Sequence, residues 1–379
     1  MSKNFTSEFI LILYTFGFTT IRPVIYFFNS QSTFVVGGFI FVSLFFWLKN
    51  RIKLAKKELI AWTIFSFFFE FLIYISRSEL SSTYMVNFFM YGIISVAMLM
   101  KVFDYKEVLH WVYVFSFVNA IVIGLDPFFE YKFTGGYMEY GFNMVMFSFS
   151  GFLIGKYYFH KKYVTIPIIF ELVMISFYGN KGAIITAFCL IICLRFLFSY
   201  SAKRLLYSLI TGISLCNWKL ILSWIISGAK SFGVSSYSIS TMEIMLSDKS
   251  DYVYSARTNI WKLASEMISK KPIFGYGVGK FEMIANGSAH NVFYDITLAF
   301  GFFGLILFLL LLINSIYHIY IDVYIERKVF CILCLITWIV PMQFSLTLWN
   351  VIIFWVYWGL YLYNVICSRC VNESFNTNI

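Results

Sequence analysis

The residues best suited to chemistry lie in one polar segment of an otherwise apolar sequence, residues 227–290. His290 ends this segment and is followed by Asn291, and Arg257 lies earlier in it. Histidine has an ordinary pKa that suits proton transfer near neutral pH, and arginine binds phosphate through paired hydrogen bonds. These residues favour a site that binds an anion and moves a proton. The simpler interpretations are an interfacial anchor for Arg257 and a structural hydrogen bond for His290.

Three alternating glycines, Gly275, Gly277 and Gly279, precede His290. Glycines at this spacing let the backbone approach a ligand closely, or they form a turn. A nucleotide-binding loop is not favoured, because no Lys-Ser or Lys-Thr pair ends the segment and no βαβ unit surrounds it.

Two further cations stand at the edges of apolar runs. Lys181 lies in the sequence Asn180-Lys181-Gly182, and Lys132 lies in a turn that contains Gly135. Each is a candidate for binding an anionic group. The simpler interpretation is a lysine whose methylenes lie along apolar surface while its ammonium reaches water.

The cysteines and the acids inside apolar runs offer other candidates. Two Cys-x-x-Cys pairs, at 331–334 and 367–370, have metal or redox spacing, but no histidine lies nearby to complete a zinc site. We interpret all seven cysteines as reduced packing residues, and we predict no metal site and no cofactor. Glu70 and Glu171 are functional candidates by their position, or partners of a nearby hydroxyl or amide.

The composition excludes a soluble globular protein. Of the 379 residues, 60% are hydrophobic and 13% are charged, and the mean hydropathy is +0.78. Soluble domains have about 45–50% apolar and 25% charged residues. The sequence therefore predicts an all-α polytopic membrane protein that forms a single integral membrane domain over residues 1–379.

Apolar runs long enough to cross a bilayer predict about twelve helices. Their approximate ranges are 7–28, 33–48, 58–76, 84–100, 108–125, 140–159, 163–178, 182–199, 205–226, 291–315, 329–347 and 349–366. The segment 227–290 then forms one long loop between the ninth and tenth helices. Loops of this length are usually functional or disordered, and the varied composition of this one favours function.

The distribution of Lys and Arg predicts the orientation. Seventeen of the 29 basic residues flank one set of turns, and the opposite short turns hold four, Arg22, Arg77, Lys132 and Lys181. The positive-inside rule then places both termini in the cytoplasm and the long loop outside. Much of the net charge of +10 is therefore topological, and we predict no nucleic-acid partner.

Residues 256–270 predict an amphipathic helix in the long loop. Ser255 suits its N-cap, and Lys270-Lys271-Pro272 suits its end. Arg257 falls in the predicted first turn, with Trp261 one turn later on the same side. Such a helix lies on the membrane surface or over the helix bundle. Apolar residues recur with helical spacing at Ile260, Leu263, Ala264, Met267 and Ile268.

The order of these motifs resembles that of the O-antigen ligase and O-antigen polymerase superfamily. The motifs are Ser-Ala-Arg257-x-x-x-Trp261, Gly-Tyr-Gly-Val-Gly, Ala-His290-Asn291 and Gly301-Phe-Phe-Gly304-Leu. The resemblance implies a helical bundle like that of C-type glycosyltransferases. It also implies metal-independent transfer of a glycan from undecaprenyl pyrophosphate to an acceptor hydroxyl, on the outer face of the bacterial cytoplasmic membrane.

The same resemblance implies roles for individual residues. Arg257 and His290 match the family's arginine and histidine and are the expected catalytic residues. Lys181 stands where the family usually has arginine in Ser-Arg-Gly, so a bidentate grip on phosphate is replaced by a point charge. Lys132, Gly135 and Asn143 match a further family pattern loosely. The expected contacts to pyrophosphate or glycan are Lys181, Lys132, Trp261, Gly275, Gly277, Gly279 and Asn291.

Three functions remain as alternatives. The first is a polymerase that joins lipid-linked repeat units of an O-antigen or capsule, with a chain-length regulator as a further partner. The second is a ligase that transfers glycan to the lipid A core. The third is a transporter or flippase, which the absence of an internal repeat and the long outer loop disfavour, although Glu70 and Glu171 keep it open.

Overall fold

The computed structural model describes most of the 379 residues. The described residues are 6–17, 32–49, 56–76, 78–102, 104–132, 134, 136–199, 203, 206–207, 209–210, 213, 217–247 and 250–363. Within these ranges the regular elements are all helical, which confirms the predicted all-α class.

The helices are numbered in chain order. They are α1 (Ser7–Gly17), α2 (Ser32–Lys49), α3 (Lys56–Ile75), α4 (Ser81–Leu99), α5 (Tyr105–Gly124), α6 (Tyr137–Met144, Val145–Phe149 and Ser150–Tyr157), α7 (Thr165–Tyr178), α8 (Lys181–Leu197), α9 (Trp218–Ser231), α10 (Tyr237–Leu246), α11 (Ser250–Lys270), α12 (Lys280–Ala285), α13 (Val292–Ile321), α14 (Ile325–Ile339) and α15 (Ile352–Tyr363).

Four of the described segments have the length and hydropathy needed to cross a membrane. They are Lys56–Ile75, Ser81–Leu99, Tyr105–Phe129 and Val292–Ile321. Large apolar side chains on α3 point outward, and Phe67 is 74% exposed and Ile64 64% exposed. Such a surface is stable against lipid and not against water. The chain is therefore a helical membrane protein, while the count of twelve spans and their orientation stay predictions.

Several predicted features lie outside the described residues. They include Gly135, Cys216, Cys367, Cys370, much of the ninth predicted span and parts of the first and last.

Two predicted boundaries were wrong. The span predicted over 329–347 stops as a helix at Ile339, because Pro341 cannot continue it, and a 3-10 turn from Pro341 to Gln343 follows. Helix α11 begins at Ser250, so Ser255 is not its N-cap and Arg257 is not in its first turn. The first difference places Gln343 and Ser345 beyond the end of α14.

The chain divides into two compact units. Unit 1 comprises residues 1–15, 41–108 and 259–379, and unit 2 comprises residues 16–40 and 109–258. His290 and the glycine segment belong to unit 1, and Lys132, Lys181 and Arg257 belong to unit 2.

A break in α13 organises the glycine segment of unit 1. Gly301 has φ 68° and ψ −171°, which interrupts the helix. The carbonyls of Leu298 and Ala299 accept hydrogen bonds from the amides of Tyr276 (2.7 Å) and Gly277 (2.9 Å). Beyond the break, the amide of Phe302 donates to Pro272 O (2.7 Å) and the amide of Phe303 donates to Ile273 O (3.2 Å). The loop 272–277 therefore satisfies the backbone groups that the break exposes.

Close backbone contact explains why glycine occupies this crossing. A Cβ on Gly301 would lie 2.0 Å from Ile273 O, and one on Gly275 would lie 2.6 Å from Leu298 O. Both residues also have a positive φ of 68°, where other L-residues are strained.

Replacing Gly301 with alanine tests this geometry. We expect Gly301→Ala to lower the free energy of unfolding by more than about 1 kcal/mol, because Ala is strained at positive φ and clashes here. Thermal unfolding of the purified protein in detergent measures the effect. Gly287→Ala is the matched control, since a Cβ there meets open space. Equal midpoints for both variants would contradict the described break.

Candidate functional site

The histidine predicted to be catalytic sits in a strained turn directly before α13. His290 has φ 54°, which is uncommon for a residue other than glycine. Its Nδ1 lies 3.2 Å from the carbonyl oxygen of Ser345 and 3.2 Å from the Ser288 hydroxyl. A carbonyl can only accept, so the bond to Ser345 requires a proton on Nδ1. In the neutral ring Nε2 then carries the lone pair, which is the arrangement a general base needs.

Both the oxygen and the nitrogen of the Asn291 side-chain amide form hydrogen bonds within the protein. Its Oδ1 caps α13 by accepting from the amides of Phe293 (3.0 Å) and Tyr294 (3.3 Å). Its Nδ2 donates to Gln343 Oε1 at 3.0 Å. Asn291 thus ties the start of α13 to the turn that supplies Ser345, and so positions His290.

Sequence reasoning missed Gln343 and Ser345, because both lay inside a predicted membrane helix. The signal that could have found them is Pro341, which favours the end of a helix. Because α14 stops before this proline, an irregular segment is available to contact His290.

Trp261 supports the same turn from α11. Its Nε1 donates to Ala289 O at 2.9 Å. Its ring is nearly parallel to that of Tyr294, with an interplanar angle of 11° and 6.2 Å between the ring centroids. The part of α11 in unit 1 packs its predicted apolar face on other residues of the protein. Of the two predicted positions for this helix, on the membrane surface or over the helix bundle, this packing favours the second. The buried cluster beneath it comprises Ala264, Met267, Phe281, Ala289 and Leu298.

The remaining glycines predicted to contact a ligand also pack on the protein. A Cβ on Gly277 would lie 2.8 Å from Ser76 Oγ, and one on Gly279 would lie 2.8 Å from Ser78 Oγ. The Val278 amide donates to Ser76 Oγ at 2.8 Å. Of the two interpretations of the glycines, the structure gives direct evidence for a tightly packed turn.

In unit 2, Lys181 lies at the start of α8 in a well-anchored turn. Asn180 caps the helix by accepting from the Ala183 amide at 2.8 Å, and its Nδ2 donates to Met138 O at 2.8 Å. Burial lowers the pKa of Lys181 to about 8, and the positive charge of Arg257 adds to this effect. No ion pair of Lys181 is present among the residues that the structure describes.

Two serines at the start of α10 fasten the turn that precedes Lys181. The Ser236 hydroxyl donates to Phe177 O at 2.5 Å, and the Ser238 hydroxyl donates to Gly179 O. These carbonyls lie at the C-terminal end of α7, where the last carbonyls have no backbone amide in the helix to bond to. Sequence reasoning missed both serines, although the run Ser235-Ser236-Tyr237-Ser238 resembles a helix start.

Arg257 belongs to the same local group. Its charge acts on Lys181 and on Tyr137. Burial raises the pKa of Tyr137, and the charge of Arg257 partly opposes this rise. The ring of Tyr137 lies 4.8 Å from that of the exposed Tyr237. We call Lys181 and Arg257 the cation pair. The two positive charges repel each other, which makes this pair a candidate site for an anion.

The structure does not bring Lys132 into this group. Its side chain is exposed on a turn held by Asp126, which accepts from the Thr134 amide at 3.0 Å. No described contact links Lys132 to the cation pair, and Gly135 of the same predicted pattern lies outside the described residues.

Two other sets of candidates have structural explanations. Glu171 is buried and accepts a hydrogen bond from Ser148, as the hydroxyl alternative predicted. Cys331 and Cys334 are buried and free, and Cys189 and Cys193 are also free. In the described part of the chain no group of three or more His, Cys, Asp or Glu could hold a metal ion.

The fold and these groups define a helical membrane protein with two neighbouring half-buried cations and a histidine whose Nδ1 donates to a backbone carbonyl. Residues 162–309 match the family model described as O-antigen ligase, and the match includes Lys181, Arg257 and His290. This match confirms the resemblance of the sequence to the O-antigen ligase and polymerase superfamily over those residues. No curated protein matches the chain.

The serine contacts of unit 2 can be tested by truncation. We expect the double variant Ser236→Ala/Ser238→Ala to lose about 1–3 kcal/mol of stability, because two helix-end carbonyls lose their donors. Thermal unfolding in detergent measures the loss. Ser240→Ala is the matched control, because its exposed hydroxyl donates to Ser236 O at 3.1 Å, at the N-cap of its own helix. A double variant as stable as the control would contradict the described fastening of the turn.

Proposed function

We propose that the protein is a polysaccharide polymerase. It joins oligosaccharide repeat units that are carried on undecaprenyl pyrophosphate into a surface polysaccharide, either O-antigen or capsule. The observation that carries this proposal is the cation pair Lys181–Arg257, which lies within the segment that matches the O-antigen ligase family.

The cation pair suits the leaving group of this reaction. When the acceptor oxygen attacks the anomeric carbon, the bond from that carbon to the pyrophosphate oxygen breaks and the negative charge grows on the pyrophosphate. Positive groups already held in place stabilise that charge without reorganisation. Lys181 and Arg257 are assigned the role that a metal ion has in other glycosyltransferases, which makes the proposed reaction metal-independent.

His290 is assigned the acceptor side of the reaction. The bond from Nδ1 to Ser345 O leaves the lone pair of the neutral ring on Nε2, so this nitrogen accepts the proton of the attacking hydroxyl. Asn291 and Trp261 hold the His290 turn, and we assign them positioning roles. The proposed mechanism needs no direct substrate contact from Gly275, Gly277, Gly279 or Lys132.

The proposed location is the cytoplasmic membrane of a bacterium. The apolar runs support about twelve spans. The distribution of Lys and Arg supports cytoplasmic termini and a site on the outer face. That face is where the resemblance places lipid-linked glycans. A chain-length regulator is a further partner implied by the polymerase proposal.

A ligase is the second candidate, because the matching family model carries that description. It would use the same donor chemistry and transfer the glycan to the lipid A core. A transporter or flippase, the alternative of another class, has less support, because the family match covers the segment with the cation pair and His290.

The glycan profile of a deletion strain separates these functions. In a Gram-negative host, loss of a polymerase leaves core carrying a single repeat unit, and loss of a ligase leaves bare core with accumulated lipid-linked polymer. We expect His290→Ala and Arg257→Ala to fail to restore long chains, because each lacks a group needed in the transition state. His318→Ala and Lys262→Ala are matched controls that should restore them. Long chains from both site variants at normal protein levels would refute the enzymatic proposal.

The lowered pKa of Lys181 gives a second test. As the pH rises through about 8, the ammonium loses its charge, so affinity for undecaprenyl pyrophosphate should fall. Bound anion favours the charged form and shifts this fall to higher pH. We expect binding to the purified protein to weaken severalfold between about pH 7 and pH 10, because the cation pair loses one charge. Lys181→Arg should bind with little change over this range, because guanidinium stays protonated. Identical pH profiles for the two proteins would contradict a role for Lys181 in binding.

A further inference from the structure

Two tyrosines of unit 2 lie beside the turn that precedes Lys181. Tyr137 is the first residue of α6 and Tyr237 is the first residue of α10, just as Lys181 is the first residue of α8. The ring centroids of the two tyrosines are 4.8 Å apart, with an interplanar angle of 56°. Tyr137 is half-buried, whereas Tyr237 is 65% exposed. We call Tyr137 and Tyr237 the tyrosine pair.

The start of α6 holds Tyr137 close to Lys181. The residue after Tyr137 is Met138, whose carbonyl accepts a hydrogen bond from Asn180 Nδ2 at 2.8 Å. One helical turn later, a Cβ on Gly141 would lie 2.8 Å from the backbone nitrogen of Asn180. The first turn of α6 is therefore in direct contact with the N-cap of α8.

The start of α10 is fastened to the same turn. Ser236 and Ser238 flank Tyr237, and their hydroxyls donate to the carbonyls of Phe177 and Gly179. Hydrogen bonds on both sides of Tyr237 thus fix its backbone, while its ring stays exposed. Two separate helices hold the tyrosine pair against one turn.

The charge of Arg257 shows that the tyrosine pair and the cation pair are neighbours. This charge acts on Lys181 and also on Tyr137. Charges act strongly only over short distances, because their interaction energy falls as the distance grows and is screened by water and salt. A pyrophosphate bound by the cation pair therefore carries the groups joined to it toward the tyrosine pair.

We propose that the tyrosine pair is a donor-sugar subsite, in which Tyr137 and Tyr237 contact the sugar that is joined directly to the pyrophosphate. This inference rests on the proposed function and extends it, because it names residues that recognise the glycan end of the donor.

The chemistry of tyrosine favours the sugar over the isoprenoid, the other group joined to the pyrophosphate. A sugar ring has a carbon face that packs on an aromatic ring, and it has hydroxyl groups that form hydrogen bonds. An isoprenoid has only the apolar surface. Tyrosine combines a large apolar ring with a polar hydroxyl. Neither hydroxyl of the tyrosine pair has a hydrogen-bond partner among the residues that the structure describes, so both are available to a sugar.

The test compares two donor probes on the full-length protein in nanodiscs. The first probe is undecaprenyl pyrophosphate, which has no sugar. The second is the lipid-linked glycan extracted from the deletion strain. We expect Tyr237→Ala to weaken binding of the lipid-linked glycan about tenfold, because an apolar contact with the sugar ring is lost. Binding of undecaprenyl pyrophosphate should stay within about twofold of that of the wild type.

Conservative variants separate the ring from the hydroxyl. Tyr137→Phe and Tyr237→Phe keep the apolar ring and lose one hydrogen bond, so each should weaken the lipid-linked glycan severalfold and less than Tyr237→Ala does. Tyr320→Ala is the matched control, because it removes a tyrosine of α13 that is 79% exposed. It should leave both affinities unchanged.

Three outcomes would overturn the inference. Unchanged binding of both probes by Tyr237→Ala would show that the tyrosine pair does not contact the donor. Equal weakening of both probes would show a contact with the carrier or a structural role. Equal affinity of the wild type for the two probes would show that the first sugar adds no contact.

The same assay distinguishes this inference from the proposed function. Lys181→Gln should weaken both probes to a similar extent, because both carry the pyrophosphate. If Lys181→Gln leaves both probes unaffected while Tyr237→Ala weakens only the lipid-linked glycan, the cation-pair proposal fails and the tyrosine pair stands as a sugar site. The reverse pattern leaves the cation-pair proposal standing and refutes the donor-sugar subsite.

Discussion

A break in an apolar helix must have its backbone amides and carbonyls satisfied by the protein, because lipid offers no hydrogen bonds. The break at Gly301 meets this requirement through the four backbone bonds to the loop 272–277. The close crossing admits only glycine at Gly275 and Gly301. The crossing also fixes the path of the following chain, which runs from the loop 272–277 through α12 and the His290 turn to the start of α13. The break thereby places the His290 turn and Asp295 at one end of α13.

The two groups proposed to act in the reaction lie in different units and suit different parts of it. In unit 2, the charge of Arg257 helps burial to lower the pKa of Lys181, and this pair is proposed to bind the anionic carrier. In unit 1, the bond from His290 Nδ1 to Ser345 O leaves the lone pair of the neutral ring on Nε2, which is proposed to accept the proton of the acceptor hydroxyl.

Helix positions were the most predictable part of the fold, because bilayer thickness fixes the length of an apolar run. Predicted ranges such as 33–48 and 163–178 agree closely with α2 and α7. The apolar face of α11 was also predicted, and the structure shows it packed on a buried cluster. The starts and ends of helices were less predictable. Helix α11 begins at Ser250, earlier than predicted, because polar residues continue the helix before its apolar face begins. Helix α14 ends at Ile339, earlier than predicted, because Pro341 interrupts an apolar run.

The sequence by itself determined the class of protein, its resemblance to a family and the residue types that suit anion binding and proton transfer. Hydropathy and charge are sums over the chain, and the motifs are local, so both can be read without coordinates. The tertiary structure decided the roles of those residues. It shows that the glycines pack on backbone and serines, that Asn291 caps a helix, and that Ser345 sets the tautomer of His290. It also brings the charge of Arg257 close enough to affect Lys181. Such proximity depends on how residues far apart in the chain pack, which no local pattern encodes.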